Sequence, residues 1–156
     1  MKVNSRLFGE IDIADDKIIT FESGLIGFDE YRKYAIIFDS EKETKGGIMW
    51  LQSMEEPQLA FPVIDPMNII SDYNPVVEDE WLEPIGEFKD ETELYVLAVL
   101  TVPADLTQMT ANLKAPLIIN TETRKACQII VNNEEYSVHY NVYEYVEKLK
   151  KEATVC

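Results

Sequence analysis

The residues able to do chemistry in this chain are few, apart from its acids. His139 is the one histidine. A single imidazole excludes metal centres built on several, and leaves serine–histidine–aspartate catalysis only one possible base. A structural histidine is the simpler reading. None of Ser5, Ser23, Ser40, Ser53, Ser71 and Ser137 lies in the G-x-S-x-G context of an activated serine. Neither a P-loop nor a G-x-G-x-x-G is present. Gly24-Leu25-Ile26-Gly27 is too apolar to cradle phosphate. Two cysteines, Cys127 in an apolar run and Cys156 at the end, give neither a disulfide framework nor zinc spacing. Cys127 reads as a small buried hydrophobe and Cys156 as an exposed tail thiol. Carboxylates are plentiful enough for the paired acids of a glycosidase, yet no spacing points to a cleft with sugar-stacking aromatics. Residues 78–93 lack the D-x-D-x-D-G order of a calcium loop. The expectation is a chain without catalytic residues, metal or cofactor.

What the acids do offer is charge. Asp and Glu number 29 against 14 Lys and Arg, a formal net charge of −15. Such a chain repels nucleic acid, whose binding needs cations to displace counterions, and anionic membrane surfaces. It is suited to a basic protein partner through steering and complementarity. The charge is not evenly spread. Residues 71–93 hold Asp72, Glu78, Asp79, Glu80, Glu83, Glu87, Asp90, Glu91 and Glu93 against Lys89 alone. Solubility explains an acidic chain in general but not so lopsided a segment. Glu78, Asp79, Glu80 and Glu83 are the first candidates for partner contact or steering.

These groups need a frame. With 156 residues, 46% of them hydrophobic, the chain fits one domain, 1–156, which buries about two thirds of its unfolded surface. No apolar run approaches the roughly 20 residues that span a bilayer. The N-terminus carries no apolar signal region, which points to the cytoplasm. Leu7, Gly9, Ile11 and Ile13 alternate with Phe8, Glu10 and Asp12, the period of a strand. Residues 15–16 then form a turn, and 17–21 the returning strand of a hairpin. Gly24 and Gly27 bound a tight connection. Residues 29–34 suit one helical turn capped by Asp29. Strands are expected at 35–38, 48–53 and 59–64, with an exposed loop over 39–47 and a turn over 54–58. Pro62 argues that 59–64 is an edge strand or bulged.

Trp81, Leu82, Ile85 and Phe88 are spaced for a short amphipathic helix, with Pro84 in its first turn. The apolar run 94–102, rich in β-branched residues, reads as a central strand. A polar loop with Pro103, Asp105, Thr107, Thr110 and Asn112 follows, the kind of place where binding groups are displayed. Thr110, Asn112 and Asn120 read first as residues satisfying local backbone groups. Asn112 is also kept as a candidate partner contact. A hairpin follows, 116–120 and 127–131 around a turn at 121–125. A strand is expected at 136–140 with His139 inside it. Val142, Tyr145, Val146 and Leu149 then take up helical spacing over 141–152, supported by Glu144 and Glu147 four residues before Lys148 and Lys151. About nine short strands with two or three short helices imply a mainly β fold. The expected form is a small antiparallel β-barrel-like domain with one helix at the C-terminus.

A family resemblance rests on an ordered set of motifs. These are Phe21-Glu22-Ser23-Gly24-Leu25-Ile26-Gly27-Phe28, Trp50-Leu51-Gln52-Ser53, Leu59-Ala60-Phe61, Asp65-Pro66 and Asp72-Tyr73. Val99-Leu100-Thr101-Val102 follows. The strongest piece is Thr110-Ala111-Asn112-Leu113-Lys114-Ala115-Pro116-Leu117-Ile118-Ile119-Asn120, with Thr123-Arg124 after it. In that order and with those gaps, from about residue 8 to 140, the chain resembles the flagellar assembly factor FliW family. Ala126 and His139 depart from the family's pattern. The resemblance implies a small β-barrel-like cytoplasmic protein without catalytic activity. It implies binding to flagellin and to the RNA-binding translational regulator CsrA, which such proteins antagonise. When flagellin is secreted, the freed factor sequesters CsrA and flagellin translation resumes. Two other classes stay open on the residues alone: a barrel holding a small ligand in its mouth, and a carboxylate-based hydrolase.

Overall fold

A computed structural model describes residues 1–37, 48–145, 147 and 148. Its strands are β1 (Lys2–Ser5), β2 (Gly9–Asp12), β3 (Ile19–Phe21), β4 (Lys33–Ile37), β5 (Met49–Ser53) and β6 (Ala60–Ile64). They continue as β7 (Leu94–Thr101), β8 (Thr110–Ala111), β9 (Leu117–Asn120), β10 (Lys125–Gln128) and β11 (Tyr140–Asn141). Seven of them close a barrel in the order β7-β6-β5-β4-β3-β10-β9, with β9 pairing back onto β7. Leu94 faces Asn120 and Leu97 faces Leu117 at that closure. The mainly β, barrel-like expectation holds. Six of the seven seams are antiparallel, and β10 runs parallel to β3.

Why the run in β7 is apolar throughout becomes clear from its two faces. Tyr95, Leu97 and Val99 point into the barrel beside Phe21, Tyr34, Leu51, Leu117 and Ile119. Leu94, Val96, Ala98 and Leu100 point outward into a second core. Successive strand residues alternate faces, and here both faces carry packed side chains, the outer one roofed only in part. The outer core is roofed by residues 69–88 and 129–142, with Tyr73, Leu82, Ile85, Val131 and Tyr136 buried in it. Each fully buried Leu or Ile contributes about 1.5–3 kcal/mol. A third small cluster, Val3, Ile18, Ala35 and Met54, seats the β1–β2 hairpin against the outside of β4.

Several local expectations are corrected. β2 pairs with β1, not with β3, whose neighbours are β4 and β10. The reversal that matters is at 6–8, where Ser5 Oγ accepts the N–H groups of Leu7 and Phe8 at 3.2 Å each. At 15–17 a 3₁₀ turn leads away instead of reversing into a hairpin. Residues 29–34 form no helical turn. Glu55 Oε1 accepts from the backbone N–H of Arg32 and Lys33 at 2.6 and 2.9 Å, and Lys33 already begins β4. Pro62 is neither on an edge strand nor in a bulge, since β6 lies between β5 and β7. Pairing to β7 involves only Val63 and Ile64, so the missing N–H of Pro62 falls just outside that ladder. The stretch 136–140 is not a strand. Ser137 Oγ accepts from His139 N at 3.0 Å in a turn, and pairing starts at Tyr140. Helical backbone follows at 143–145 and 147–148. The loop expected over 39–47 lies outside the described residues, as do positions 146 and 149–152 of the expected C-terminal helix.

Between β8 and β9 the chain keeps to the same side of β7 but bulges. Leu100 faces Ala111 and Leu97 faces Leu117, so three steps along β7 are matched by six on its partner. Asn112 Oδ1 closes this bulge, accepting from Lys114 N at 3.2 Å and Ala115 N at 3.0 Å. The long polar loop of the sequence reading therefore shrinks to residues 102–109, around a 3₁₀ turn at Leu106–Gln108.

Candidate partner-binding surface

The acidic segment wraps as a 3₁₀ helix over Asp79–Ile85 rather than an α-helix. At three residues per turn, Leu82 and Ile85 fall on one side and are buried, and Phe88 follows half-buried on the same outer core. Pro84 sits within it. Asp79 begins the row of Leu82 and Ile85 at its exposed end, Glu80 and Glu83 stack on another, and Glu78 precedes the helix; all four acids are exposed. The protonated Glu78 carboxyl can donate to the Glu80 carboxylate, and this hydrogen bond, with some desolvation and the nearby Glu80 charge, holds the Glu78 carboxyl above its ordinary value. The ion pairs seen among the described residues lie elsewhere, joining the Met1 amino group to Asp12 and Asp15, and Lys125 to Glu22.

The segment is held from below by the turn after β9. Asn120 is fully buried, and its side chain uses every donor and acceptor it has. Nδ2 donates to Ile85 O and Glu87 O, both at 3.1 Å. Oδ1 accepts from Glu122 N at 3.0 Å and Thr123 N at 3.3 Å. Thr123 Oγ1 donates to Ile85 O at 2.7 Å. Gly86 turns the chain out of the 3₁₀ helix at φ +80°, and a Cβ there would come within 3.0 Å of Thr123 Cγ2. A left-handed, closely approached position suits glycine.

Beside this segment the outer face of the barrel is incompletely roofed. A cleft of about 390 Å³ opens there. Leu94, Val96 and Ile118 form its floor, and Val77, Leu82 and Phe88 its walls, with Asp79 among the lining groups. A second hollow of about 300 Å³ shares Asp79, Leu82 and Phe88 and adds Glu83 and Glu87. The fold thus brings Asp79 and Glu83 onto one apolar depression, with Glu78 and Glu80 beside them in the chain. Asn112 is elsewhere, in the β8–β9 bulge. A hydrogen bond from Tyr73 to Leu113 O at 2.7 Å ties that bulge to the cleft, because Tyr73 also lines it.

Sequence reasoning missed the anchors Asn120, Thr123 and Gly86 as a set, and missed the cleft. The run Asn120-Thr121-Glu122-Thr123 was the available signal, since Asn and Thr near a strand end bond local backbone. Arg124 takes a positive φ of 61° and donates to Lys17 O at 3.1 Å. Trp50, Phe61 and Trp81 are half-buried, the last two packed on the barrel interior and the outer core respectively, and Tyr73 is buried. Cys127 is half-buried with its Sγ 3.9 Å from Trp81 O, and burial pushes its thiol up to about 11. His139 is exposed. Among the described residues no three His, Cys, Asp or Glu side chains converge as a metal site. None of their helices is long and apolar enough to cross a membrane. The barrel interior is filled by the side chains named above, so a ligand in the barrel mouth draws no support from the packing.

Comparison with known proteins agrees with the architecture. The family model described as FliW protein matches residues 2–142. The flagellar assembly factor FliW of Lachnospira eligens is 47% identical, over 95% of this chain and 98% of that protein. Its counterpart in Lachnoclostridium phytofermentans is 46% identical over 100% of both chains. A crystal structure of the flagellar assembly factor FliW superposes with a TM-score of 0.80 at 28% identity, covering 91% of this chain and 96% of that one. With these relatives, matched over nearly its whole length, the chain belongs to the FliW family.

Proposed function

We propose that this FliW-family chain is a non-enzymatic cytoplasmic switch that binds flagellin and binds CsrA, antagonising CsrA and so relieving repression of flagellin translation. One observation carries the reading: Glu78, Asp79, Glu80 and Glu83 stand exposed on an anchored segment of a chain with net charge −15. CsrA binds RNA and needs a basic surface to do so. An acidic partner is steered to such a surface. Once bound, it raises the electrostatic cost of RNA on the same regulator without having to overlap the RNA site. Family membership supports a role in flagellar assembly.

Calorimetry against purified CsrA and purified flagellin, separately and then in competition, tests the proposal. The expected result is saturable binding to each, with flagellin lowering the amount of CsrA bound. Absence of heat and of co-elution with both proteins overturns it.

A further inference from the structure

We infer that the cleft between the barrel's outer face and the acidic 3₁₀ segment is a docking groove for a protein segment with apolar side chains on one face, flanked by lysine or arginine. The inference rests on the reading that this chain binds a basic protein, and it names the surface and the form of the ligand. Its floor is apolar and belongs to the rigid barrel, from Leu94 and Val96 on β7 and Ile118 on β9. Met67 stands at the rim with 56% of its surface exposed. An apolar hollow of about 390 Å³ left open to water is a place where burial of a partner's side chains is favourable.

Charge selects among occupants. Asp79 lines both hollows, and Glu83 and Glu87 line the second. The ion pairs seen among the described residues do not involve these three. Nucleic acid and acidic peptides are repelled. A neutral small molecule uses the floor and leaves the carboxylates unpaired. A basic amphipathic segment satisfies both, with apolar residues in the hollow and cations on the rim. The bonds from Asn120 and Thr123 to Ile85 and Glu87 fix the acidic wall relative to β9. The groove is therefore formed in advance of binding, which lowers the cost of association.

The test uses full-length protein with labelled methyl groups, followed by NMR. Two synthetic probes of identical pattern, one of leucine and lysine and one of leucine and glutamate, are titrated in, and CsrA is titrated separately. The leucine–lysine peptide is expected to shift the methyls of Val77, Leu82, Leu94, Val96 and Ile118, and the leucine–glutamate peptide to leave them in place. Met67→Lys places a cation at the rim and is expected to weaken that binding by about tenfold or more. Val102→Lys, at an exposed apolar site outside the cleft, controls for net charge and leaves binding unchanged. Methyls that do not move with the leucine–lysine peptide, or that move equally with both peptides or in both variants, overturn the groove. If CsrA binds while the cleft methyls stay still in both titrations, the groove falls and the function stands. If neither CsrA nor flagellin binds while the peptide shifts the cleft, the function falls and the groove stands.

Discussion

Asn120 Nδ2 donates to Ile85 O across 3.1 Å, and this bond joins the end of a barrel strand to the acidic segment. Replacing Asn120 with Ala leaves the carbonyls of Ile85 and Glu87 and the N–H groups of Glu122 and Thr123 short of partners. Thr123 still serves Ile85 O, and Glu87 can turn to water. The expected loss is about 2–3 kcal/mol, read by urea unfolding. Asn120→Asp keeps the acceptor and loses both donors, so it falls between Ala and the parent chain at best. A change below about 0.5 kcal/mol for Asn120→Ala would remove the anchor from the account.

Neutralising Glu78, Asp79, Glu80 and Glu83 together to Gln or Asn tests whether the exposed acids of that segment steer a basic partner. All four are exposed, so folding stability is expected to change little. Affinity for CsrA is expected to fall about tenfold at low ionic strength, with the gap to the parent chain closing as salt rises. Equal affinity and equal salt slope for the two proteins would discard the role.

Much of the frame was legible because strands with both faces buried leave continuous apolar runs. Residues 94–102 and 116–120 are of this kind, and both emerged as strands within a residue or two. Less legible was anything decided by side chain to backbone bonds across distance. Glu55, twenty-odd residues on, fixes the entry to β4, so residues 29–34 looked helical on local propensity alone. Pro62 looked like an edge marker because the shortness of its ladder to β7 is a tertiary fact. The site was half visible. Its carboxylates stood out by count, but the hollow beside them depends on β7 and β9 meeting segment 73–88, which no local pattern records.

Cys127 offers a check on the outer core. Burial pushes its thiol up to about 11, so at pH 8 only about one part in a thousand is thiolate. In a Cys156→Ser chain, native Cys127 is expected to react with a thiol reagent far more slowly than the same residue in urea. A native rate close to the unfolded one would place the thiol at the surface and contradict the packing of β10 against Trp81.

Glu55 is expected to make acid stability depend on pH. Hydrogen bonds from the N–H groups of Arg32 and Lys33 hold its carboxyl below the ordinary range. A depressed folded value means the unfolded state takes up the proton first. The contribution is complete above the unfolded value of about 4.3 and fades as pH falls through the folded one. Glu55→Gln keeps an acceptor but not the charge, so its stability curve is expected to be flatter across that acid window. The side chain is exposed, which keeps the effect small. Parallel curves for the two proteins would deny the linkage.

Tyr34 is the alkaline counterpart, and its argument runs through the barrel interior. It is wholly buried among Phe21, Leu51 and Leu97, with its ring 5.4 Å from that of Phe21. Its hydroxyl has no hydrogen-bond partner. Burial, with lesser help from Glu55 and Tyr31, pushes the phenol up to about 12. A raised folded value means the unfolded chain loses its proton first. The contribution is therefore intact below about pH 10 and lost as pH rises toward 12. Tyr34→Phe keeps the ring and removes an unpaired oxygen. At pH 7 it is expected to leave stability unchanged or raise it by up to about 1 kcal/mol. Above pH 10 it is expected to remove part of the alkaline loss. A loss of more than about 1 kcal/mol at pH 7 would mean that the hydroxyl has a partner in solution, and with it a polar site inside the barrel.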